Sequence, residues 1–465
     1  MRRFALLSLV FAILLAACAP SVTLLPLVTP TVKPTIPAPT KTPSPAPSIP
    51  TQTPAPNLGV DTEALRGLTI NLWHGLDGES ASLLGQMTTE FNLSNPWGYT
   101  VSLEGAGNMT GMLEKVNQAE ATAGAVDVVL ALPEHLNGWG TANWLVDLNP
   151  YIQNKEFGLT PTEISDFTPA IWAQEQAGKQ RFGAPLARTA RFLFYNVTLA
   201  NELGFKKPPQ TLEDFREQAC GANAAWKTDS DQTNDGYGGW AFDNDPWTAY
   251  SWLMAAGGQP FTDGQFTFAT PQNTAALAYL LELRADGCLW VPNSLTNSEF
   301  LARRAALFVT GSLEDIAAQN VAFTVFASSD TWTILPFPGE KPLIVTYGPS
   351  FGVMANGPAR QLAGWLFVRW MLSQENQARW ASTTGLLPAR TSALRLMQAY
   401  RTAHPAWAAA ADLMPLAQPY PAAPSWRLAR NVLADGFGSL FRMYPLYGPD
   451  AMLEQMDKTM LELSK

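Results

Sequence analysis

The stretch Leu68-Thr69-Ile70-Asn71-Leu72-Trp73 decides the fold class of this 465-residue chain, because an apolar run of strand length is followed at once by a helical pattern. Residues 80–91 repeat apolar side chains at four-residue spacing, which is typical of an amphipathic helix. A strand at 100–103, a helix at 109–121 and a strand at 126–132 follow. Strands that alternate with helices favour a parallel sheet, so the sequence predicts an α/β domain.

A second tract begins after Arg181-Phe182-Gly183-Ala184-Pro185 and has strands and helices of its own. The spacing of apolar residues predicts strands at 191–195, 334–335 and 343–347, and helices at 273–286, 296–307, 359–371 and from 376 onward. No internal repeat of solenoid period occurs. The length allows two or three domains, or one bilobed unit with a large core.

The N-terminal segment is not predicted to belong to this fold. Met1-Arg2-Arg3 and the short apolar run after it are typical of a secretory signal, and an uncleaved membrane anchor is the alternative. Leu15-Ala16-Ala17-Cys18 resembles the bacterial lipobox, which predicts that residues 1–17 are a signal peptide and that Cys18 carries a lipid. Residues 18–64 are rich in proline and threonine, which predicts a disordered tether.

Composition argues against two classes of protein. A formal net charge of −9 disfavours a nucleic-acid binder, which needs a basic face to neutralise phosphates. Three cysteines and three histidines disfavour a Cys/His zinc module. With Cys18 lipidated, Cys220 and Cys288 remain. In an exported protein an even pair predicts a disulfide, and two buried free thiols are the alternative.

Five local patterns, taken in chain order, resemble one protein family. They are Leu72-Trp73-His74-Gly75, Ala125-Val126-Asp127-Val128-Val129, Leu145-Val146-Asp147-Leu148, the stretch from Phe182-Gly183-Ala184-Pro185 through Leu193-Phe194-Tyr195-Asn196 to Pro208-Pro209-Gln210-Thr211-Leu212-Glu213-Asp214-Phe215, and the stretch from Gly364-Trp365 to Gly385-Leu386-Leu387-Pro388-Ala389-Arg390. Their order resembles that of the extracellular solute-binding proteins of carbohydrate ABC importers, the maltodextrin-binding class. The lipobox and the tether also suit a membrane-tethered importer subunit.

The resemblance implies an α/β, two-lobed fold of the periplasmic-binding-protein type, in which each lobe is a sheet flanked by helices and a hinge joins the lobes. It places lobe 1 at 65–187 and 348–389, and lobe 2 at 188–347 and 390–465. The monomeric protein would close on a mono- or oligosaccharide and deliver it to an ABC permease at the outer face of the cell membrane. No catalysis, cofactor, metal or nucleic acid is implied.

A sugar site needs flat aromatic rings for the apolar C–H faces of the ligand and polar groups for its hydroxyls. Ligands of such sheets usually lie at the carboxyl ends of the strands, where the chain carries several residues of both kinds. Together with the resemblance, this predicts a set of ligand-binding residues: Trp73, His74, Glu134, His135, Arg188, Thr189, Asp245, Trp247, Tyr347, Ser350 and Trp426. Core packing is the alternative for each tryptophan, and a surface or helix-capping role is the alternative for His135.

The chain departs from the family pattern at two stacking positions. Ala131 stands where an aromatic residue often follows the third strand, and Leu313 stands where another follows Thr310-Gly311-Ser312. A long linear maltodextrin is therefore not favoured, and the identity of the sugar stays open. Non-sugar solutes are the alternatives. A glycerol phosphodiester would need cations such as Arg188 and Arg390, and a polyamine would need an acidic aromatic box.

Enzyme chemistry is the competing interpretation. Gly348-Pro349-Ser350-Phe351-Gly352 matches the nucleophile elbow of a lipoprotein esterase, but no helix is predicted directly after it, and the later acid and histidine are Glu375 and His404. From Asp231, the spacing of a Ca²⁺ loop would place Phe242 where a bidentate Glu is required. A glycosidase would need two carboxylates across a cleft, and the candidates are Glu79, Asp127, Glu134 and Asp245. The sequence favours a binding protein without catalysis.

Overall fold

The computed structural model describes residues 58–119, 124–292, 297–442 and 448–464. The predicted signal peptide, the predicted lipidation site Cys18 and all but the last residues of the predicted tether lie outside this range. The described residues belong to one compact unit, Pro54–Lys465. Within the described ranges, no helix is both long enough and apolar enough to cross a membrane.

The strands are short except for β7. In chain order they are β1 (Thr69–His74), β2 (Thr100–Gly105), β3 (Val128–Ala131), β4 (Gln176–Ala177), β5 (Gln180–Arg181), β6 (Ala184–Pro185), β7 (Ala187–Asn196), β8 (Trp240–Ala241), β9 (Phe261–Thr262), β10 (Gln265–Phe266), β11 (Leu289–Trp290), β12 (Phe308–Gly311), β13 (Trp332–Leu335), β14 (Ile344–Tyr347), β15 (Ser350–Val353), β16 (Leu387–Pro388) and β17 (Ala417–Pro419).

The helices surround these strands, and 3-10 turns lie at Thr62–Leu65 and Met414–Leu416. The helices are α1 (Gly78–Ser94), α2 (Met109–Ala119), α3 (Pro133–Thr141), α4 (Asn149–Ile152), α5 (Pro161–Ser165), α6 (Pro169–Gln174), α7 (Val197–Glu202), α8 (Leu212–Thr228), α9 (Pro246–Ala255), α10 (Pro271–Ala285), α11 (Asn297–Ala302), α12 (Asp315–Val325), α13 (Pro358–Met371), α14 (Gln374–Thr384), α15 (Ala393–Leu396), α16 (Gln398–Ala403), α17 (Pro405–Asp412), α18 (Trp426–Arg442) and α19 (Pro449–Leu463).

A five-stranded sheet, in the order β2-β1-β3-β15-β6, forms the centre of the first half of the molecule. β1 runs parallel to β2 and β3, whereas β15 is antiparallel to β3 and β6. The apolar face predicted for α1 is buried, and its Phe91 packs edge-on against Phe367 of α13 at 5.1 Å between ring centroids. The parallel strand–helix–strand start is therefore confirmed, and the sheet is completed by a strand from much later in the chain.

A larger sheet, in the order β11-β8-β12-β7-β14-β17, forms the second half, and β13 and β16 also pair with β7. Every residue of β7 is buried, because neighbouring strands and helices cover the whole strand. A disulfide joins Cys220 of α8 to Cys288, directly before β11, with 4.2 Å between the Cα atoms. The α/β architecture of two sheets flanked by helices agrees with the predicted fold class.

Two lobes can be defined by these sheets. Lobe 1 is the five-stranded sheet with α1, α2, α3, α6 and α13, and lobe 2 is the larger sheet with α8–α12, α18 and α19. The strands of the first sheet come from Thr69–Pro185 and Ser350–Val353, and those of the second from Ala187–Tyr347, Leu387–Pro388 and Ala417–Pro419. The lobe boundaries given by the sequence remain a prediction.

One predicted helix differs in length from the observed one, and the end of another lies outside the described residues. The helix predicted at 296–307 ends at Ala302, because Arg304 has a left-handed backbone (φ 57°) and β12 begins at Phe308. This prediction was wrong in length, since the apolar run at its end belongs to a buried strand. The helix predicted at 109–121 is described to Ala119, and residues 120–123 lie outside the described ranges.

Candidate ligand-binding site

The carboxyl ends of the central strands of both lobes come together near the chain crossings. In lobe 1, Ser350 begins β15 beside Ala131, the last residue of β3, and also pairs with Pro185. In lobe 2, Tyr347 ends β14 opposite Thr189 near the start of β7. Ligands of open α/β sheets bind outside such strand ends, so this is where a site is expected.

Tyr420 joins the two lobes. It is buried directly after β17 of lobe 2, and its hydroxyl donates a hydrogen bond to Oε2 of Glu134 in α3. Its carbonyl accepts a hydrogen bond from Nε2 of Gln174 at 3.0 Å, and the carbonyl of Ala422 accepts one from Nδ2 of Asn137 at 2.7 Å. We call this arrangement the Tyr420 junction. It fixes a segment of lobe 2 against α3 and α6 of lobe 1.

Four rings at this place form an aromatic cluster: Trp247, Tyr347, Tyr420 and Trp426. Trp247 stacks on Tyr347 with 4.1 Å between centroids and 6° between ring planes, and it lies 5.0 Å from Trp426 and 4.8 Å from Tyr420. Trp247 and Tyr347 are half-buried, whereas Trp426 and Tyr420 are buried. The cluster therefore has two inner rings and two rings that reach the surface.

The N-terminus of α9 determines the position of Trp247. Asp245 caps this helix and accepts hydrogen bonds from the backbone N–H groups of Trp247 at 2.8 Å and of Thr248 at 3.3 Å. Burial raises the pKa of Asp245, and the neighbouring Asp243 raises it further. The acid predicted for the second lobe is thus a helix cap that holds the stacking ring in place.

Glu134 and His135 lie in the first turn of α3, after the end of β3. Burial raises the pKa of Glu134, against the hydrogen bond from Tyr420 and the positive charge of Arg430, which both lower it. Burial lowers the pKa of His135 to about 4, and Arg430 and Arg427 lower it as well. His135 is therefore a neutral imidazole at neutral pH, able to exchange hydrogen bonds with a neutral ligand.

Arg188, Glu175 and Ser350 form a fully buried crossing network between the start of β7, the end of α6 and the start of β15. Nη2 of Arg188 contacts the Glu175 carboxylate and Oγ of Ser350, and the Ser350 hydroxyl donates to the same carboxylate. Nη1 donates to the carbonyls of Pro349 and Ala187 at 2.9 and 3.0 Å. The charge of this arginine is compensated inside the protein.

The other predicted residues have partners outside the aromatic cluster. Oγ1 of Thr189 donates to Glu314 at 2.8 Å within lobe 2. Trp73 is buried in lobe 1 below Nζ of Lys115, which lies 4.2 Å from its ring centroid. Nδ1 of His74 accepts a hydrogen bond from the backbone of Leu76, and burial lowers the pKa of His74. Trp73 and His74 lie at the predicted strand end, but their described contacts do not connect them to the cluster.

Several buried polar atoms around the Tyr420 junction lack a partner among the described residues. They are Oε1 of Glu134, Nδ1 of His135, Oε1 of Gln174, Nε of Arg188 and Nε1 of Trp426. The set contains hydrogen-bond acceptors on the carboxyl and amide groups and donors on the guanidinium and indole groups. Buried polar groups are normally hydrogen-bonded, so a concentration of unpartnered atoms at one place needs an explanation.

Sequence reasoning missed four residues of this region: Tyr420, Gln174, Glu175 and Arg430. Arg430 could have been found, because it lies one helical turn after Trp426 and therefore on the same face of α18. Tyr420 stands between Pro419 and Pro421, which marks a rigid extended segment but not its partner. Gln174 and Glu175 carry no local signal, since their partners lie far along the chain.

The features required for esterase or metal chemistry are not found in the described residues. Ser350 starts a buried strand and not a strand-to-helix turn, and its partners are Arg188 and Glu175. Glu375 lies in the first turn of α14, and His404 stacks on Tyr400. No described group of three or more His, Cys, Asp or Glu residues has an arrangement that could hold a metal ion.

Two α/β lobes that meet at aromatic and polar strand ends define a bilobed ligand-binding protein. Residues 86–415 match the family model described as bacterial extracellular solute-binding protein. The chain therefore belongs to this family, whose members act outside the cytoplasm. This agrees with the family expected from the sequence motifs.

The individual relatives have low sequence identity to this chain. The chain is 24% identical over 357 residues to the sn-glycerol-3-phosphate-binding periplasmic protein of Salmonella typhimurium, which covers 73% of this chain and 78% of that protein. Among solved structures, it is similar to the sugar-binding protein MalE of Xanthomonas citri, with a TM-score of 0.72, 18% identity, and 85% and 98% of the two chains covered.

A second solved structure is the cyclic alpha-maltosyl-1,6-maltose binding protein of Arthrobacter globiformis, with a TM-score of 0.70 and 17% identity over 85% of this chain and 99% of that chain. At such identities these structures show that the fold is shared.

Proposed function

We propose that the protein is a non-catalytic, membrane-tethered binding protein that captures a sugar between its two lobes and delivers it to an ABC permease. The observation that carries this proposal is the set of unpartnered donors and acceptors beside the aromatic cluster, where lobe 1 and lobe 2 meet. Membership of the solute-binding family supports the binding role. The sugar-binding structures that share the fold support the class of ligand.

The chemistry of the site matches a neutral polyhydroxyl ligand. Each sugar hydroxyl both donates and accepts hydrogen bonds, so a sugar can use acceptors such as the carboxyl oxygen of Glu134 and donors such as the indole N–H of Trp426. The half-buried rings of Trp247 and Tyr347 offer flat apolar faces to the C–H side of a sugar ring. A polyamine offers only donors, and a phosphodiester mainly needs cations, so neither uses both kinds of atom.

The two arginines considered for a phosphate are occupied. Arg188 is paired with the Glu175 carboxylate at zero exposure. Nη2 of Arg390 lies 3.6 Å from Glu163, and Nε lies 3.9 Å from Asp166. A buried arginine whose charge is already balanced has little left to offer a phosphate oxygen.

A phosphodiester ligand remains the second candidate because of Arg430. Its positive charge reaches both Glu134 and His135, where it lowers their pKa values. The relative in Salmonella typhimurium that binds sn-glycerol-3-phosphate supports this candidate as well. Arg430→Gln separates the two ligands: it should nearly abolish binding of a phosphodiester, whereas a sugar should lose only one hydrogen bond, worth about 1 kcal/mol.

Membership of the family supports the location outside the cytoplasm, and the N-terminal sequence supports the tether. Residues 1–17 would be removed, Cys18 would carry the lipid, and residues 18–64 would let the binding lobes reach the permease. The predicted boundaries place Leu387–Pro388 in lobe 1, although this strand pairs with β7 of the second sheet. Closure of the lobes on a ligand would supply the signal for docking, since both faces are engaged only in the closed form.

A thermal-shift screen of the purified protein against a panel of mono- and disaccharides, glycerophosphodiesters and polyamines tests this function. A ligand at a hundredfold excess over its Kd adds about 2.7 kcal/mol to stability, which a melting curve resolves. Stabilisation by a sugar is the expected result. Melting that no sugar changes, together with steady turnover of a p-nitrophenyl ester or glycoside that Ser350→Ala abolishes, would contradict it.

A further inference from the structure

Lobe 2 contains a cavity of about 470 Å³ beside the cleft, between β7, β12 and α12 and the loop after β8. We call it the lobe 2 cavity. Asp245, which positions Trp247, lies on its wall, so the cavity opens close to the aromatic cluster. Its wall carries three aspartates, Asp243, Asp245 and Asp315, and one arginine, Arg191.

Carboxylates exceed cations on this wall. Nη2 of Arg191 donates to Asp243 at 3.1 Å, while its other nitrogens lie 3.8 Å from Asp245 and 3.9 Å from Asp315, beyond hydrogen-bond distance. Nε of Arg191 donates to Thr248 at 2.7 Å. One guanidinium therefore faces three carboxylates, two of which it contacts only loosely. The wall therefore carries a surplus of negative charge, which attracts cations from solution.

Two fully buried oxygens in the cavity wall have no partner among the described residues: Oγ1 of Thr310 and Oε1 of Gln319. Nε2 of Gln319 donates to the carbonyl of Ser298 at 2.9 Å, so the amide turns its oxygen toward its other side. The carbonyl of Thr310 already accepts a hydrogen bond from Asn297. Both buried atoms without a partner can accept a hydrogen bond: the amide oxygen of Gln319 is an acceptor, and the Thr310 hydroxyl can accept as well as donate.

We infer that the lobe 2 cavity binds a protonated amine and that the captured solute is an amino sugar. The inference rests on the proposed function and specifies its ligand. An ammonium group has three donors and no acceptor, which suits carboxylates and unpartnered oxygens. A divalent metal suits the wall less well, because no cluster among the described residues has an arrangement that could hold a metal ion.

Isothermal titration of the full chain with matched pairs of sugars tests this inference. Glucosamine, galactosamine and mannosamine are each compared with the neutral parent sugar, which differs only in a hydroxyl in place of the amine. At least one amine is expected to bind ten times more tightly than its parent, which corresponds to 1.4 kcal/mol. Spermidine serves as an amine without a sugar ring, and tighter binding of spermidine than of every amino sugar would overturn the inference.

Two variants test whether the preference for the amine over the neutral sugar arises in the lobe 2 cavity. Asp315→Asn keeps an oxygen for the backbone N–H of Ser312 but removes one charge, and it should reduce the ratio of amine to neutral affinity about tenfold. Asp263→Asn makes the same charge change in the exposed turn between β9 and β10 and should leave the ratio unchanged. Thr310→Val removes an unpartnered hydroxyl and should weaken amine binding several-fold.

Equal affinity for amine and parent sugar, or a preference that Asp315→Asn and Thr310→Val leave intact, would overturn the inference. In either case, binding of a neutral sugar would still support the proposed function. If no sugar of any kind binds, both fail together. Melting curves of the ligand-free variants show whether each one is folded.

Discussion

The Tyr420 junction and the lobe 2 cavity lie near each other but use their polar atoms differently. In the junction, Tyr420 is bonded to Glu134 and Gln174 of the other lobe, and the atoms left over are both donors and acceptors. In the cavity, the buried atoms left over are oxygens of Thr310 and Gln319. From this difference follow the two proposals made above: hydroxyls of the ligand at the junction, and a donor of the ligand at the cavity wall.

The largest effect is expected at the crossing network, because both members of its ion pair are fully buried. Arg188→Met should lower the free energy of unfolding by about 3–5 kcal/mol, since Glu175 then keeps an uncompensated buried charge. The measurement is chemical denaturation. Arg401→Met is the matched control, because Arg401 pairs with the exposed Asp412 and should change stability by at most about 1 kcal/mol. A loss as small as that of the control would mean that the Arg188 charge is not held by Glu175.

The junction should also respond to acid through His135. Its pKa is about 4 in the folded protein, because burial lowers it, against about 6.5 in the unfolded chain. The unfolded chain therefore binds the proton more readily between these values, and stability falls as the pH falls through this window, by up to about 3 kcal/mol. His135→Asn should remove this part of the acid loss.

Denaturation curves of the wild type and His135→Asn at pH 7, 5.5 and 4 measure the effect. The difference in the free energy of unfolding between the wild type and His135→Asn should narrow or reverse as the pH falls. Parallel curves at all three pH values would show that His135 titrates normally, and that it is exposed to water.

A smaller loss is expected from Tyr420→Phe. The change removes the hydroxyl that donates to Glu134 and leaves a buried carboxyl without this partner, at a cost of about 1–3 kcal/mol. Tyr237→Phe is the control, because the hydroxyl of Tyr237 has no hydrogen bond among the described residues. Urea denaturation of both variants measures the loss. Equal stability of the two variants would mean that the hydroxyl of Tyr420 does not stabilise the contact between the lobes.

The cavity should show almost no stability effect. Thr310→Val removes a buried hydroxyl that has no partner among the described residues, so the free energy of unfolding of the ligand-free protein should stay within about 0.5 kcal/mol of the wild type or rise slightly. A loss above about 1 kcal/mol in the same denaturation experiment would show that this hydroxyl has a structural partner. The comparison between junction and cavity would then fail.

The fold was largely predictable because its first elements are local. The spacing of apolar residues predicts both the buried strand β1 and the amphipathic helix α1. The end of α11 was missed, since the left-handed turn at Arg304 leaves no mark in the apolar pattern. The pairing of β15 with β3 joins residues more than 200 positions apart, and no local pattern encodes it.

The candidate site was predictable only in part, for the same physical reason. Glu134 follows the strand predicted at 126–132, so its place at a strand end could be inferred, whereas Asp245 was predicted only from the family resemblance. The sequence predicts Arg188 as a ligand-binding residue. Its pairing with Glu175 inside the protein could not be foreseen, because no local pattern marks Glu175 as its partner. Tyr420 was missed because its role depends on Glu134, which lies 286 residues away.

The most direct test of the proposed function is calorimetric titration of the wild type and of Trp247→Ala with the sugar that stabilises the protein most in the screen. The wild type should bind one sugar per chain. Trp247→Ala should weaken binding at least tenfold, because it removes the half-buried ring that stacks on Tyr347, while Trp97→Ala, which changes a tryptophan of lobe 1 outside the cluster, should bind as the wild type does. Unchanged affinity in Trp247→Ala, or no binding of any sugar to the wild type, would contradict a sugar site at the aromatic cluster.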